Sequence, residues 1–265
     1  GAGDGFDAES NNVGIGSNAL GSGSYAASSN TAVGYNALAA NTTAGSNVAV
    51  GSNALAANTT ASANVAVGTN AGDAITTSPS NTLIGNNAGS AISTGSGENV
   101  CVGNNAGALM TTGQQNIIIG DNAGANADIT GSNNVVIGDN AGLGLTSGSN
   151  NCVLGAQALD ALTSGSNNIA IGQNALGGQT TASHNIAIGH NAGQVNDTGD
   201  GFVVIGYRSG AALTAGSTQN TFVGYEAGAA VTTGDYNVMI GGAAGDAQTT
   251  SSHSTFVGFG AGSAV

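Results

Sequence analysis

The sequence predicts an all-β solenoid, a β-roll of about fifteen rungs with roughly 17–18 residues in each turn. The first observation is a Gly preceded by Val, Ile or Leu, which recurs fifteen times from Gly16 to Gly258 at a nearly constant interval. A period this short over the whole length is typical of a solenoid. The second observation is that the many Gly, Asn and β-branched residues disfavour helices. We call the recurring residue the motif Gly, and we expect one repeat domain over residues 1–265.

Each repeat is expected to contain a short strand that ends at the motif Gly, where the backbone turns sharply. The residues one and three before the Gly point to the same face of that strand. Most of them are Val or Ile, which favour strands. We therefore expect this face to build the core of the coil. The predicted core column consists of Ile15, Val33, Val50, Val67, Ile84, Val102, Ile119, Ile137, Leu154, Ile171, Ile188, Ile205, Val223, Ile240 and Val257.

The residue two before the motif Gly is expected to point away from that core, yet it is never charged. A continuous apolar stripe on a protein surface usually marks an interface. We therefore predict self-association through this stripe, with three chains around one axis as the leading geometry. A flattened monomeric coil with a two-layer core is the alternative. The candidate self-association face consists of Leu83, Ile118, Val136, Val153, Val204, Phe222, Met239 and Phe256.

Asn stands four residues before the motif Gly in thirteen repeats, and Phe202 and Ser254 are the exceptions. At equivalent positions of successive rungs, Asn side chains can hydrogen-bond one another and the nearby backbone. The sequence therefore predicts a structural Asn ladder. Its members are Asn12, Asn30, Asn47, Asn64, Asn81, Asn99, Asn116, Asn134, Asn151, Asn168, Asn185, Asn220 and Asn237.

The charge balance excludes several classes of partner. Fourteen acidic residues against one basic residue, Arg208, give a net charge of −13. A chain with one cation is unsuited to a run of phosphates, so we expect no nucleic-acid binding and no attraction to anionic membranes. No apolar run approaches the ~20 residues that span a bilayer, so we expect no membrane insertion in this segment. Cys101 and Cys152 occupy apolar positions, and we expect both to be small buried hydrophobes.

Rows of like residues do not make an active site, which needs unlike residues converging in a pocket. We therefore expect no enzyme and no cofactor. Asp121 and Asp139 are the candidates for a metal site, because they occupy one position in adjacent repeats and oxygen ligands at this spacing suit Ca²⁺. The alternative is a pair of solvated carboxylates.

A Thr pair recurs after the motif Gly, for example at residues 42–43, 59–60 and 76–77. Regular Thr residues on a flat solenoid face are one way in which proteins order water like ice. An ice-binding or other surface-recognition solenoid is therefore the alternative function.

The phrases NVAVGSNAL, NIAIGHNAG and NTLIGNNAG resemble the head repeats of trimeric autotransporter adhesins. They also resemble repeats of bacterial surface proteins and of phage tail-fibre-like proteins. The shared phrase runs, for example, from Asn47 to Gly51, from Asn116 to Gly120 and from Asn185 to Gly189. The resemblance implies a left-handed β-roll with three chains around an axis, located outside the cell or on a virion. The repeat of this chain is longer than that of typical adhesin heads.

These observations together predict a structural, non-enzymatic subunit of an extracellular fibre or adhesin-like stalk. The opening Gly1-Ala2-Gly3 is in phase with Gly260-Ala261-Gly262. Because the sequence starts and stops inside a repeat, we expect either that it is a segment of a longer fibre or that units stack end to end into a filament.

Overall fold

The computed structural model describes residues 11–21, 27–95, 97–195, 198–214 and 216–263. Within these residues the protein is all-β and contains no helix, which confirms the predicted solenoid. Fifteen strands of three residues each end directly before a motif Gly. They are β1 Val13–Ile15, β2 Thr31–Val33, β3 Val48–Val50, β4 Val65–Val67, β5 Thr82–Ile84, β6 Val100–Val102, β7 Ile117–Ile119, β8 Val135–Ile137, β9 Cys152–Leu154, β10 Ile169–Ile171, β11 Ile186–Ile188, β12 Val203–Ile205, β13 Thr221–Val223, β14 Val238–Ile240 and β15 Thr255–Val257.

The chain forms two compact units, residues 1–133 and 134–265. The first unit contains β1 to β7, and each strand pairs in parallel with the next. The second unit contains β8 to β15 with the same parallel pairing. Equivalent residues lie opposite one another, so that Val50, Val67 and Ile84 form a single file as predicted. A single continuous domain over 1–265 stays a prediction.

Each rung has one strand, and the remaining residues form turns and bends that also bond to the next rung. The backbone N–H of Leu38 donates to the carbonyl of Ala54 over 3.0 Å, and that of Thr42 donates to the carbonyl of Thr59 over 3.1 Å. The Thr pairs therefore lie in hydrogen-bonded bends. Because rungs pair around much of the coil, their backbone groups are satisfied without long strands.

The motif Gly is required by its own backbone and by the neighbouring rung. Gly51 has a φ of 137°, which lies in a region that residues with a Cβ rarely adopt. A Cβ at Gly51 would also overlap the carbonyl oxygen of Gly68 in the next rung. The Gly thus ends the strand, as the sequence predicts, and allows two backbones to approach closely.

The middle residue of each strand faces the core, and the first and third residues face outward, which reverses the predicted orientation. Leu83 is fully buried, whereas Ile84 beside it is 40% exposed. The reason is the phase set by Asn81, which is fully buried one residue before the strand. Since side chains alternate along a strand, an inward Asn places the middle residue inward as well.

Two sets of residues are therefore corrected. The set predicted as the core column lies on the outer surface of the sheet: Ile15, Val33, Val50, Val67, Ile84, Val102, Ile119, Ile137, Leu154, Ile171, Ile188, Ile205, Val223, Ile240 and Val257. The set predicted as a self-association face points into the interior: Leu83, Ile118, Val136, Val153, Val204, Phe222 and Met239 are fully buried, and Phe256 in β15 is partly exposed. The interior is narrow and holds only an Ala at this position in several rungs, for example Ala49 and Ala66.

The interior volume is balanced within single rungs. The fourth residue after the motif Gly is either Leu or Gly. Leu55 is followed three residues later by the buried Asn58, whereas Gly72 is followed by the buried Ile75. A Cβ on Gly72 would lie 3.1 Å from Cδ1 of Ile75 and 3.2 Å from Cδ2 of Leu55, so the missing side chain makes room for both. Close packing of this kind is sensitive to single methylene groups.

We predict that Leu83→Ala lowers the free energy of unfolding by about 2–5 kcal/mol, because it leaves a cavity in the core. Ile84→Ala, the matched change one residue along, should cost about 1 kcal/mol or less, because that side chain is already partly solvated. Urea unfolding of single chains, followed by circular dichroism at concentrations where sedimentation shows no association, would measure both. Equal costs, or a larger cost for Ile84→Ala, would contradict the orientation described above.

Candidate functional site

The outer surface of the sheet is the most apolar exposed region of each unit. We call it the outer face, and define it as the first and third residues of every strand. All third residues are Val, Ile or Leu, and the first residues are Val, Ile, Thr or Cys. Val67, Ile84 and Leu154 are 37%, 40% and 46% exposed. The outer face carries no charged residue in any strand, so it offers shape and apolar area without ionic contacts.

The charged side chains lie elsewhere on the rungs. Among the described residues the acids lie outside the strands, in turns at Asp73 and Asp121 and in an irregular segment at Asp235. The single base, Arg208, has an Nη1 atom 3.9 Å from Oε1 of Glu226. Both side chains are partly solvated, so this pair contributes little to stability. The negatively charged side chains therefore lie outside the outer face.

The predicted Asn ladder is present in both units. In the first unit the Oδ1 atom of each Asn from Asn12 to Asn99 accepts the backbone N–H of the next Asn over 2.8–3.1 Å. In the second unit the same bonds are 2.9–3.0 Å long. Phe202 still donates its N–H to Asn185, but its ring offers no acceptor, so the ladder stops there and resumes at Asn220.

Each amide also closes its own turn. The Nδ2 atom of Asn47 donates to the carbonyl of Ala61 over 3.0 Å, fourteen residues further along the same rung. Asn99 bonds in the same way to Gly113, and Asn168 to Ala182, over 2.9 Å. One side chain therefore satisfies a backbone donor along the axis and a backbone acceptor across the turn.

A second amide ladder runs along the Asn residues two after the motif Gly. In the first unit Nδ2 of Asn36 donates to Oδ1 of Asn53 over 3.2 Å, and the row continues through Asn70 and Asn87 to Asn105. These residues have positive φ values near 55°, which Asn tolerates better than most residues. The recurrence of Asn at this position was the signal in the sequence, although the predicted ladder included only the buried column.

In several pairs the hydroxyl of the first Thr donates a hydrogen bond to a backbone carbonyl of the next rung. Oγ1 of Thr42 donates to the carbonyl of Thr59 over 2.9 Å, and Oγ1 of Thr59 donates to the carbonyl of Thr76 over 3.1 Å. The same bond joins Thr146 to the carbonyl of Thr163 over 2.8 Å. The second Thr of each pair is exposed, and it lies in a bend rather than on a strand.

The predicted metal candidates are engaged by amides. Asp121 accepts hydrogen bonds from Asn104 over 2.9 Å and from Asn122 over 3.1 Å. Asp139, in the other unit, accepts one from Asn140 over 3.1 Å. Across the part of the chain that the structure describes, no three His, Cys, Asp or Glu side chains are grouped as metal ligands would be.

The two cysteines have different environments. Cys101 is the middle residue of β6 and is fully buried, as predicted. Burial raises the pKa of its thiol to about 12. Cys152 is the first residue of β9 and is exposed on the outer face, so the prediction that it is buried was wrong. The reason is the same reversal of phase that exposes the predicted core column.

Exposed rings stack along the second unit, one residue after the motif Gly. His190 and Tyr207 have ring centroids 5.5 Å apart, and Tyr207 and Tyr225 have centroids 5.2 Å apart with nearly parallel planes. Tyr236 and His253 form a further stacked pair at 5.1 Å. The coil places equivalent residues one above another, so it stacks rings by the same geometry that makes the amide ladders.

Comparisons with known proteins find no family model, no characterised protein and no solved structure that matches this chain. No helix of the described residues is long and apolar enough to cross a membrane. The function is therefore argued from the geometry of the surfaces described above.

We predict that Asn64→Ala costs about 2–3 kcal/mol of unfolding free energy, because it leaves the buried N–H of Asn81 without its partner and removes one of the two amide hydrogen bonds to the carbonyl of Ser78. The control is Asn70→Gly in the partly exposed second ladder, which should cost about 1 kcal/mol or less, since Gly accepts the φ of 53° at this position. Chemical denaturation would measure both. Equal losses of unfolding free energy would show that the buried ladder stabilises the fold no more than the partly exposed ladder does.

We also predict that acid stabilises the fold. Burial raises the pKa of Asp73 and Asp160 above the ordinary value of 3.8. A raised pKa means that the folded chain binds protons more tightly, so the stabilisation is complete below 3.8 and is lost as the pH rises through the raised values. The melting temperature should increase from pH 7 to pH 4, and it should increase less in the double variant Asp73→Asn/Asp160→Asn. Identical pH profiles of the two proteins would contradict this assignment.

Proposed function

We propose that the protein is a structural, non-enzymatic subunit of an extracellular fibre or adhesin-like stalk, and that copies associate through the outer face. The observation that carries this proposal is the outer face itself, a charge-free row of Val and Ile side chains that remains partly solvated in each unit. Contiguous exposed apolar patches of this kind are typical of protein interfaces.

A second copy of the same chain is the partner that fits best. The outer face is uncharged, whereas the described acidic residues are spread over the segments between the strands. A copy that approached through any of those acidic surfaces would bring carboxylates of like charge together. Contact between two outer faces avoids this repulsion and removes apolar area from water, at roughly 25 cal/mol per Å².

Three parallel chains around one axis is the proposed geometry, in line with the adhesin resemblance. In such an assembly the same residue of each copy meets at the same height. Because all copies have the same spacing between rungs, each rung of one copy faces the equivalent rung of its neighbour. The same contacts are therefore repeated along the axis. End-to-end stacking of these assemblies would extend the fibre.

The mechanical properties suit a stalk. Each rung bonds to the next through backbone groups, a buried amide and, in many rungs, a Thr hydroxyl. The chain has no Lys and only one Arg, so trypsin has a single site. Ice binding is less well supported, because in several pairs the hydroxyl of the first Thr is already bonded, to a backbone carbonyl at Thr42 and Thr59 and to Asp128 at Thr111.

We predict that the native chain sediments at three times its single-chain mass of 24.9 kDa. The double variant Ile84→Asp/Ile119→Asp should dissociate to single chains, because it buries unpaired charge in the outer face. The charge-matched control is Thr60→Asp/Thr112→Asp, at exposed positions away from the strands, and it should stay associated. A native chain that is monomeric at all accessible concentrations would refute the proposal.

Cys152 supplies a second readout of the same assembly. In parallel chains around an axis the Cys152 thiols of neighbouring copies meet, so mild oxidation should give a disulfide-linked dimer on a non-reducing gel. Cys152→Ser should abolish the linked species, and Cys101→Ser should leave it unchanged because Cys101 is buried. Linkage that is equally efficient in Ile84→Asp/Ile119→Asp would show that the outer face does not hold the copies together.

A further inference from the structure

A recess of about 330 Å³ lies in the second unit, on the turns that follow β9, β10 and β11. It exists because Gly177 and Gly178 have no side chains where the rung before has Asp160 and Ala161 and the rung after has Gln194 and Val195. A Cβ on Gly177 would lie 3.3 Å from Oδ1 of Asp160, so the carboxylate borders the recess directly. The lining residues are Asp160, Asn174, Gly177, Gly178, Gln194 and Val195.

The second amide ladder of the first unit has no continuous counterpart beside this recess, where the equivalent column reads Gln157, Asn174, Asn191 and Arg208. In the first unit each amide of the ladder donates to the next, as Asn53 does to Asn70 over 3.1 Å. The corresponding acceptor in the second unit, Oδ1 of Asn191, is buried and has no hydrogen-bond partner among the described residues. Asn174, one rung earlier, therefore does not donate to it, and its side chain lines the recess instead.

The interior next to the recess is also unsatisfied. Gln179, which directly follows Gly178, is fully buried, and neither its Nε2 nor its Oε1 atom has a partner in the described structure. Three of the four unpartnered buried side-chain atoms described in the second unit thus belong to Gln179 and Asn191, in the rungs that form the recess. Unpaired buried polar groups are rare and costly, but neither Gln179 nor Asn191 lines the recess, so these atoms are not themselves contacts for a ligand.

The lining chemistry narrows the class of ligand. There is no cation in the recess, so an anion has no partner there. One carboxylate and two primary amides supply acceptors and donors together, and Val195, which is 52% exposed, supplies an aliphatic surface. Hydroxyl groups of a sugar both donate to carboxylates and accept from amides, while the C–H face of the ring packs on aliphatic carbon. The volume is at the lower end of the ~300–1,000 Å³ range of small-ligand sites.

We propose that this recess binds one sugar ring, with Asp160, Asn174 and Gln194 holding its hydroxyls. The burial that raises the pKa of Asp160 also strengthens its hydrogen bonds, because water competes less for the carboxylate. The site is small and open, so the affinity for a single ring is expected to be weak, on the order of millimolar. This site is independent of the outer face and of self-association.

The test is saturation-transfer NMR on the full chain with methyl glycosides of glucose, galactose, mannose and N-acetylglucosamine as probes. At least one glycoside should give a saturable signal. Asp160→Asn and Gly177→Val should each lower that signal at least fivefold, the first by removing the charge and the second by filling the recess. The matched control is Asp73→Asn, which changes a half-buried Asp at the same position of a rung whose successor has Ser90 and Ala91 in place of the two Gly residues.

Several results would overturn the proposal. The first is the absence of saturable binding by all four glycosides, and the second is an equal loss of signal in Asp73→Asn. The third measurement is calorimetric titration with Ca²⁺ alone. If the heat of binding disappears in Asp160→Asn and no glycoside gives a signal, the recess binds a cation and not a sugar. Circular dichroism melting of each variant confirms that it is folded, and Asp160→Asn serves as the test if Gly177→Val is not.

Discussion

The buried Asn amide that closes each turn is the interaction on which the rest of the structure depends. Its Nδ2 group holds a carbonyl fourteen residues along the same rung, as in Asn47 and Ala61, and its Oδ1 atom holds the N–H of the next rung. These two bonds fix the size of the turn and its height relative to its neighbour. A buried hydrogen bond contributes only about 1 kcal/mol net, but leaving its partners unpaired costs more. The ladder therefore acts mainly by excluding other arrangements.

The orientation of the strands follows from this amide. Because Asn points inward, the residue two further along also points inward, and the two residues that flank it point outward. The middle residue of the strand, such as Ala49 or Leu83, is therefore buried, and the Val and Ile residues on either side of it are left on the outer surface. The Asn amide that closes the turn therefore also determines which apolar residues of the strand are exposed. Closure of the turn and exposure of the apolar face are linked through one side chain.

The sequence was sufficient to predict the number of rungs, the end of each strand at the motif Gly and the Asn ladder, because each of these recurs at a fixed period. It was insufficient to orient the strands. All three residues of strands such as Ile117–Ile119 are apolar, so alternation gave no signal. The inward orientation of the Asn sets the phase of the strand, but the sequence does not show whether a recurring Asn lies at a corner of the coil or in its core. The error at Cys152 has the same origin. The recess could not be predicted at all, since it depends on what the neighbouring rungs place around Gly177.

The balance of interior volume within a rung has a consequence for how such a chain changes over evolutionary time. Leu55 is matched by Asn58, and Gly72 by Ile75, so volume lost at one position is largely regained within the same rung, while Leu55 and Leu83 of the adjacent rungs also fill the space over Gly72. A block the length of one repeat that keeps its own volume in this way can be duplicated, lost or exchanged by recombination with little change in the total volume of the core. The length of the solenoid can then change by whole repeats under selection, while the surface residues of each repeat diverge independently.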